Sequence, residues 1–441
     1  MMKKQLCFLL TLFLILVSTA LAQTEGGIRN VFFDTLRAGD AQPLPIGVEP
    51  MKYVGDMYIT AADSSLMQYV SRVVQRDLDF YADFELVPLD SFYLKTYEIT
   101  EMTLLGWKRL GAEMVVRLEA EFPGPNLRVR WRLFDTNRQR QYATERLEYN
   151  RTFWRELAHD IANQIVTTLT GDPGIFRTKI VYVKKVGNAK ELFLADYDGA
   201  NEKQLTHTGS INLSPCFSPK ANVIYFISYM EGNPKLFKVD VVSGKISKVA
   251  DYPGLIAAPE VSPDGNKIAC VLTKDGNAEI YVLSLEGKII KRLTHSPYSI
   301  ESAPTWSPDG RNIAFSSDRT GTPQLYIMDS DGLNMHRLTY QGGYNDSPIW
   351  SHRGDRITFV SRTPSGRFDL ASINIDGTDY RVLTQVGRNE NPHFSPDGKH
   401  IIFASTRLGG WDLYTMDITG RNQRRLTHSG NVSNPNWGPL Q

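Results

Sequence analysis

Carboxylates, histidines and arginines are the side chains of this 441-residue chain that could do chemistry, and their spacing limits what that chemistry can be. Glu301, Asp346 and Glu390 each stand just ahead of a recurring Pro-x-x-Ser landmark, so carboxylates converging in a channel could serve general acid–base chemistry. The simpler reading is a set of polar residues at a wet pore mouth. Asp196–Gly199 and Asp329–Gly332 begin like calcium loops but supply no Glu at the twelfth place, so they read as hairpin turns. His207, His295 and His428 all follow Leu-Thr, and a position generated by a repeat scatters around a ring instead of converging on one metal. Arg128, Arg130, Arg132, Arg138 and Arg140 could hold phosphate, yet their alternation with apolar residues marks the wet face of a strand. No Gly-x-Ser-x-Gly nucleophile elbow is present. The expectation is a chain with no catalytic residue, no metal and no cofactor.

The element that positions these residues is a repeat. Pro215, Pro259, Pro304, Pro348, Pro392 and Pro435 open related segments such as Pro304-Thr-Trp-Ser-Pro308 and Pro392-His-Phe-Ser-Pro396, at intervals of 43 to 45 residues. The landmark is followed by a tight turn (Asp264-Gly265, Asp309-Gly310, Gly354-Asp355, Asp397-Gly398), its Asp-Gly members read as two-residue hairpins, then a short apolar strand such as Ile313–Ser316. A Gly-containing loop, an alternating strand such as Leu325–Asp329, a second turn and a polar strand ending near Arg-Leu-Thr complete the period. Four short strands per period of about 40–45 residues predict a propeller blade. The array starts at Lys179–Val183 without a landmark strand and finishes at Asn434–Pro439 with a landmark strand alone. The C-terminal strand is therefore expected to complete the first blade, closing a ring of six.

Ahead of the ring, residues 1–22 combine a basic start, an apolar run from Leu6 to Val17 and an Ala20-Leu-Ala22 site, the parts of a cleaved secretory signal peptide. The run is too short to span a bilayer, where about 20 apolar residues are needed. Residues 23–45 read as a flexible tail and 46–171 as a small α/β domain. In that domain helices over Asp63–Tyr81 and Thr152–Leu169 flank a hairpin of Met114–Phe122 with Leu127–Leu133. Residues 172–177 are a linker and 178–441 the propeller. The fold class is thus an α+β N-terminal domain followed by an all-β six-bladed propeller. Removing Lys3 and Lys4 with the leader leaves 47 basic against 48 acidic side chains, which argues against nucleic acid or anionic lipid as a partner. Cys216 and Cys270 fall in different repeats and are expected to be buried free thiols, and a monomer without membrane insertion is expected.

The order of leader, small α/β domain, Leu169-Thr-Gly-Asp-Pro-Gly-Ile-Phe176 junction and six repeats ending in Asn434-Pro-Asn-Trp-Gly-Pro439 resembles the TolB family, the periplasmic propellers of the Tol–Pal system. The resemblance covers essentially the whole mature chain, and the junction together with Arg132-Leu-Phe-Asp135 makes it specific. It implies a non-enzymatic periplasmic adaptor that supports outer-membrane integrity and constriction at cell division. The peptidoglycan-associated lipoprotein Pal would bind at the channel mouth, and the inner-membrane protein TolA through the N-terminal tail. Carried over by position, the Pal-type site comprises Leu255, Ala258, Glu301 and Ser302, with Asn345, Asp346, Asn389 and Glu390 in the corresponding loops. Leu255 departs from the family's polar ring. The TolA-type segment is the tail with Ile28, Val31, Phe32 and Phe33, suited to adding as a strand to a partner's sheet, although this tail follows the family pattern loosely. The competing reading is a secreted propeller enzyme acting on cell-wall or polysaccharide material through channel carboxylates.

Overall fold

In the computed structural model, residues 42–56, 58–88 and 104–440 are described. The leader, most of the tail and the four residues Ile28, Val31, Phe32 and Phe33 lie outside them. The chain divides into two compact units, one ending at Gly174 and the other beginning at Ile175.

The first unit holds strands β1 (Leu44–Val48), β2 (Lys52–Tyr53), β3 (Phe84–Leu86), β4 (Met114–Glu121), β5 (Asn126–Asp135) and β6 (Arg140–Asn150). Its helices are α1 (Ala61–Phe80), α2 (Leu104–Arg109) and α3 (Trp154–Thr170). The sheet runs β3-β1-β4-β5-β6, with β2 also against β4; β1 is parallel to both neighbours and β4, β5 and β6 are antiparallel. Helix α1 starts where Thr60 and Asp63 form a reciprocal capping box. Helix α3 stops at Gly171, whose φ of 76° suits a residue without Cβ. Leu127, Val129, Trp131 and Leu133 of β5 are buried, and Trp131 donates its indole N–H to Gln164 of α3 at 2.7 Å. The intervening arginines are spent on carboxylates: Arg128 on Glu121 (2.8 Å) and Glu148 (2.7 Å), Arg132 on Glu119. β1 begins at Leu44, inside the stretch read as tail; Leu44 and Ile46 are buried, and their pairing partners lie far along the chain in β3 and β4.

The second unit is a closed ring of six four-stranded antiparallel blades. Val432–Trp437 pairs with Lys179–Val186 to complete the first blade, as the repeat count requires. The clasp is keyed on both sides. Trp437 donates its indole N–H to Thr178 at 2.9 Å, and Asn436 accepts the backbone N–H of Phe217, in the next inner strand, at 3.0 Å. Ile175 and Phe176, within the segment read as a linker, are buried, with Phe176 packed 5.2 Å from Tyr197.

The Ser-Pro-Asp-Gly turns differ from the two-residue hairpins that the sequence pattern predicts. In the Ser-Pro-Asp-Gly segments the left-handed residue is the Gly alone (Gly265, φ 71°; Gly310, φ 70°; Gly398, φ 68°). Ser262 O accepts Gly265 N–H and Ser262 N–H donates to Lys267 O, so the loop is four residues long rather than two. Proline favours the first inner position of such a turn, and the aspartate caps it by accepting from Ser262 Oγ and Asn266 N–H.

Candidate partner-binding face of the propeller

Each inner strand has the same defect. The residue before the landmark proline is left-handed in all six: Ser214, Ala258, Ala303, Ser347, Asn391 and Asn434, with φ between 47° and 55°. The register against the second strand shifts at that point, for example between Leu213 and Cys216. Proline has no N–H for the ladder, so two inner residues face one outer residue and the strand bulges. The two residues before each proline are half-exposed between buried neighbours, which makes six such pairs the lining of the channel mouth. Ala258, Ser302, Asp346 and Glu390 belong to this lining. Leu255, 39% exposed, stands on the rim one residue before its strand.

Glu301, Asn345 and Asn389 do not face solvent: each is 0% exposed. They belong to a network that repeats around the ring. The threonine of Leu-Thr accepts a backbone N–H of the third strand at 2.9 Å in five blades, with Thr206, Thr294, Thr339, Thr384 and Thr427 on Leu192, Ile280, Leu325, Leu370 and Leu413. Its hydroxyl donates to the side chain of the residue just before that N–H, as Thr206 does to Glu191, Thr339 to Gln324, Thr384 to Asp369 and Thr427 to Asp412. The asparagine opening the next inner strand donates to the same acceptor: Asn212 to Glu191 (3.0 Å), Asn345 to Gln324 (2.9 Å) and Asn389 to Asp369 (3.1 Å). In the fourth blade Glu301 takes the asparagine's place and accepts from Ser299 (2.8 Å), Ser317 (3.1 Å) and Arg319 (3.0 Å). Burial raises its pKa, against the lowering effect of those donors. Polar groups buried like this are costly unless satisfied. These residues therefore hold the rim loops in place and present no exposed surface.

The two lining carboxylates sit in neighbouring blades and are engaged. Asp346 accepts from Tyr344 Oη (3.0 Å) and Ser347 N–H (2.7 Å), and Glu390 is paired with Arg388. Arg388 lies over the Phe368 ring at 4.9 Å, and Tyr344 meets Phe368 edge-on at 5.6 Å. Burial, with Asp346 beside it, pushes the Tyr344 phenol up to about 12. In an antiparallel blade the loops leading into the inner strand and those joining the second and third strands share one end. That end carries exposed Ile211, Leu255, Tyr298 (97% exposed), Ile300, Tyr340, Val386 and Leu408. Scattered apolar residues are ordinary on a surface, whereas an apolar collar around a concave mouth marks an interaction site. Cys216 and Cys270 are buried free thiols, and among the described residues no cluster of three or more His, Cys, Asp or Glu is arranged to hold a metal. No helix among the described residues is long and apolar enough to cross a membrane.

A small α/β unit and a closed propeller with an apolar-rimmed mouth define a protein-binding propeller module. The family model described as the TolB beta propeller domain matches residues 166–441, and that of the TolB amino-terminal domain matches residues 35–142. A Tol-Pal system protein TolB of Gluconobacter oxydans is 41% identical over 307 residues, covering 69% of this chain and 67% of that protein. That of Rickettsia africae is 35% identical, covering 54% of each. A crystal structure of TolB from Acinetobacter baumannii aligns with a TM-score of 0.78 at 26% identity, covering 90% of this chain and 97% of that one. The chain belongs to the TolB family, a non-enzymatic interaction component of the Tol–Pal system.

Proposed function

We propose that this chain is a periplasmic adaptor, exported by a leader cleaved after Ala22, that binds a Pal-type peptidoglycan-associated lipoprotein at the propeller mouth. Leu255, Ala258, Ser302, Asp346 and Glu390 are its accessible contact residues, and Glu301, Asn345 and Asn389 position the loops that carry them. A TolA-type inner-membrane protein is engaged by the tail containing Ile28, Val31, Phe32 and Phe33, and the two contacts together support outer-membrane integrity and constriction at division.

The observation that carries the reading is the exposed apolar collar around a mouth lined mainly by small neutral residues. The two lining carboxylates are already engaged with Tyr344 and Arg388, which favours binding over acid–base chemistry. The test is capture from the organism's own envelope extract by the chain from Gln23 onward, with Leu255→Asp plus Ser302→Arg as the control. Recovery of an OmpA-like lipoprotein by the wild type, lost with the double change, is expected. Equal recovery by both refutes the site. No such lipoprotein in either sample refutes the adaptor role.

A further inference from the structure

At the end of the channel opposite the collar, where the inner strands finish, a cavity of about 220 Å³ opens among Trp306, Trp350, Trp437 and Phe217. The residue after each landmark proline gives a second ring: Cys216, Glu260, Thr305, Ile349, His393 and Asn436. Four of these six bind the next blade by accepting a backbone N–H. Asn436 accepts from Phe217 (3.0 Å), Cys216 from Val261 (3.4 Å), Thr305 from Trp350 (3.3 Å) and His393 from Trp437 (3.2 Å). Ile349 has nothing to accept with.

Glu260 departs from the pattern. Among the described residues the one hydrogen bond to its carboxylate comes from the Cys216 thiol at 3.5 Å, and no Lys or Arg pairs with it. The inner strands neighbour one another in chain order around the ring, so Glu260 of the third blade and His393 of the sixth face each other across the channel. His352, where the other five repeats have proline, also lines the cavity. Burial keeps both imidazoles neutral, His393 down to about 3 and His352 below its ordinary value, and raises the Cys216 thiol. The only group of the cavity that can carry charge near neutral pH is therefore a carboxylate without a cation.

We infer that this lower channel is a binding site for a small aliphatic primary ammonium group, held by the Glu260 carboxylate among the rings of Trp306, Trp350 and Trp437. An ammonium supplies both the counter-charge and the donors the carboxylate lacks, and aromatic rings tolerate a cation close by. A metal would need several ligands converging with the carboxylate, and among the described residues no three or more His, Cys, Asp or Glu are arranged to hold one. The size sets the ligand. At about 30 Å³ per water, the cavity has room for about seven such volumes, enough for a chain of four or five carbons ending in an amine. A free alkylamine and the end of a lysine side chain share this chemistry.

Burial pushes the Glu260 pKa up to about 7, which gives the site a pH signature. The carboxylate is about one-tenth ionised at pH 6 and nine-tenths at pH 8, so affinity for an ammonium is expected to rise about tenfold between them. The experiment is calorimetric titration of the full chain from Gln23 with n-butylammonium, with acetyl-Gly-Lys-Gly-amide in parallel and n-butanol as the neutral match. Binding of either amine, at least tenfold tighter than butanol and at least tenfold weakened in Glu260→Gln, is expected; which of the two binds tells free amine from side chain. Carboxyl carbon NMR of the wild type gives a readout independent of the variant's folding, since butylammonium is expected to lower the Glu260 midpoint. Equal binding of butanol, affinity that does not change with pH, or an unmoved Glu260 midpoint overturns the inference.

Discussion

Replacing Trp437 by alanine tests whether the ring depends on its clasp. The side chain is 2% exposed in the strand that joins the end of the chain to the first blade, and its indole N–H is bonded to Thr178. Truncating a buried tryptophan costs about 3–5 kcal/mol through lost burial and the cavity left behind. The lost hydrogen bond adds about 1 kcal/mol. With a urea dependence of about 3 kcal/mol per molar for a domain of this size, the propeller's midpoint should fall by more than about 1 M. Hydrogen exchange on peptides from each blade isolates that transition from unfolding of the first unit. Because the clasp closes a ring, blades distant from the substitution should lose protection together with the first. Leu440→Ala, at a half-exposed neighbouring position, is the control and should move the midpoint little. A Trp437→Ala midpoint no lower than that control, or loss of protection confined to the first blade, would refute the clasp as the cooperative link.

Asn389→Leu removes the donor to Asp369 and leaves that carboxylate short of a partner, so a loss of about 1–3 kcal/mol in a denaturant titration is expected, together with weaker lipoprotein capture although Asn389 itself is buried. Ala258 holds a left-handed φ of 47°, so Ala258→Gly is expected to raise stability by about 0.5 kcal/mol and the β-branched Ala258→Val to lower it, measured as opposite shifts in Tm. His393 is held neutral by burial with His352 nearby, and its pKa falls to about 3. The folded state therefore binds a proton less readily than the unfolded chain, and stability is lost as pH drops from about 6.5 toward 3, by up to about 1.4 kcal/mol per pH unit. His393→Asn, which copies Asn436 in the first blade, is expected to flatten that part of the pH–stability curve; an unchanged slope would count against it.

The ring was legible because its repeat writes the same turn, strand and loop signals six times, and because one strand is missing at the start and present at the end. Helices α1 and α3 and the β4–β5 hairpin were legible from their own periodicity. β1 and β3 were not, since they are only five and three residues long and are fixed by distant pairing rather than local pattern, and the six-residue α2 is too short to show a helical period. The rim divided in the same way. Ala258, Ser302, Asp346 and Glu390 lie in the lining, whereas Glu301, Asn345 and Asn389 are drawn inward, because a polar residue at a strand start looks alike whether it meets water or a buried partner. The recurring Leu-Thr is the sequence trace of the buried network, which went unread because its acceptor in the third strand varies among Glu, Gln and Asp and hides the periodicity. The lone carboxylate at Glu260 becomes meaningful only when the blades close and leave it without a cation.

Site-specific photocross-linking in living cells tests the channel-mouth claim most directly. A photoreactive residue at Ser302 is predicted to capture an OmpA-like lipoprotein, and the same residue at Lys291, on an outermost strand, is predicted not to. Cross-linking of that lipoprotein from Lys291 and not from Ser302 would contradict the account.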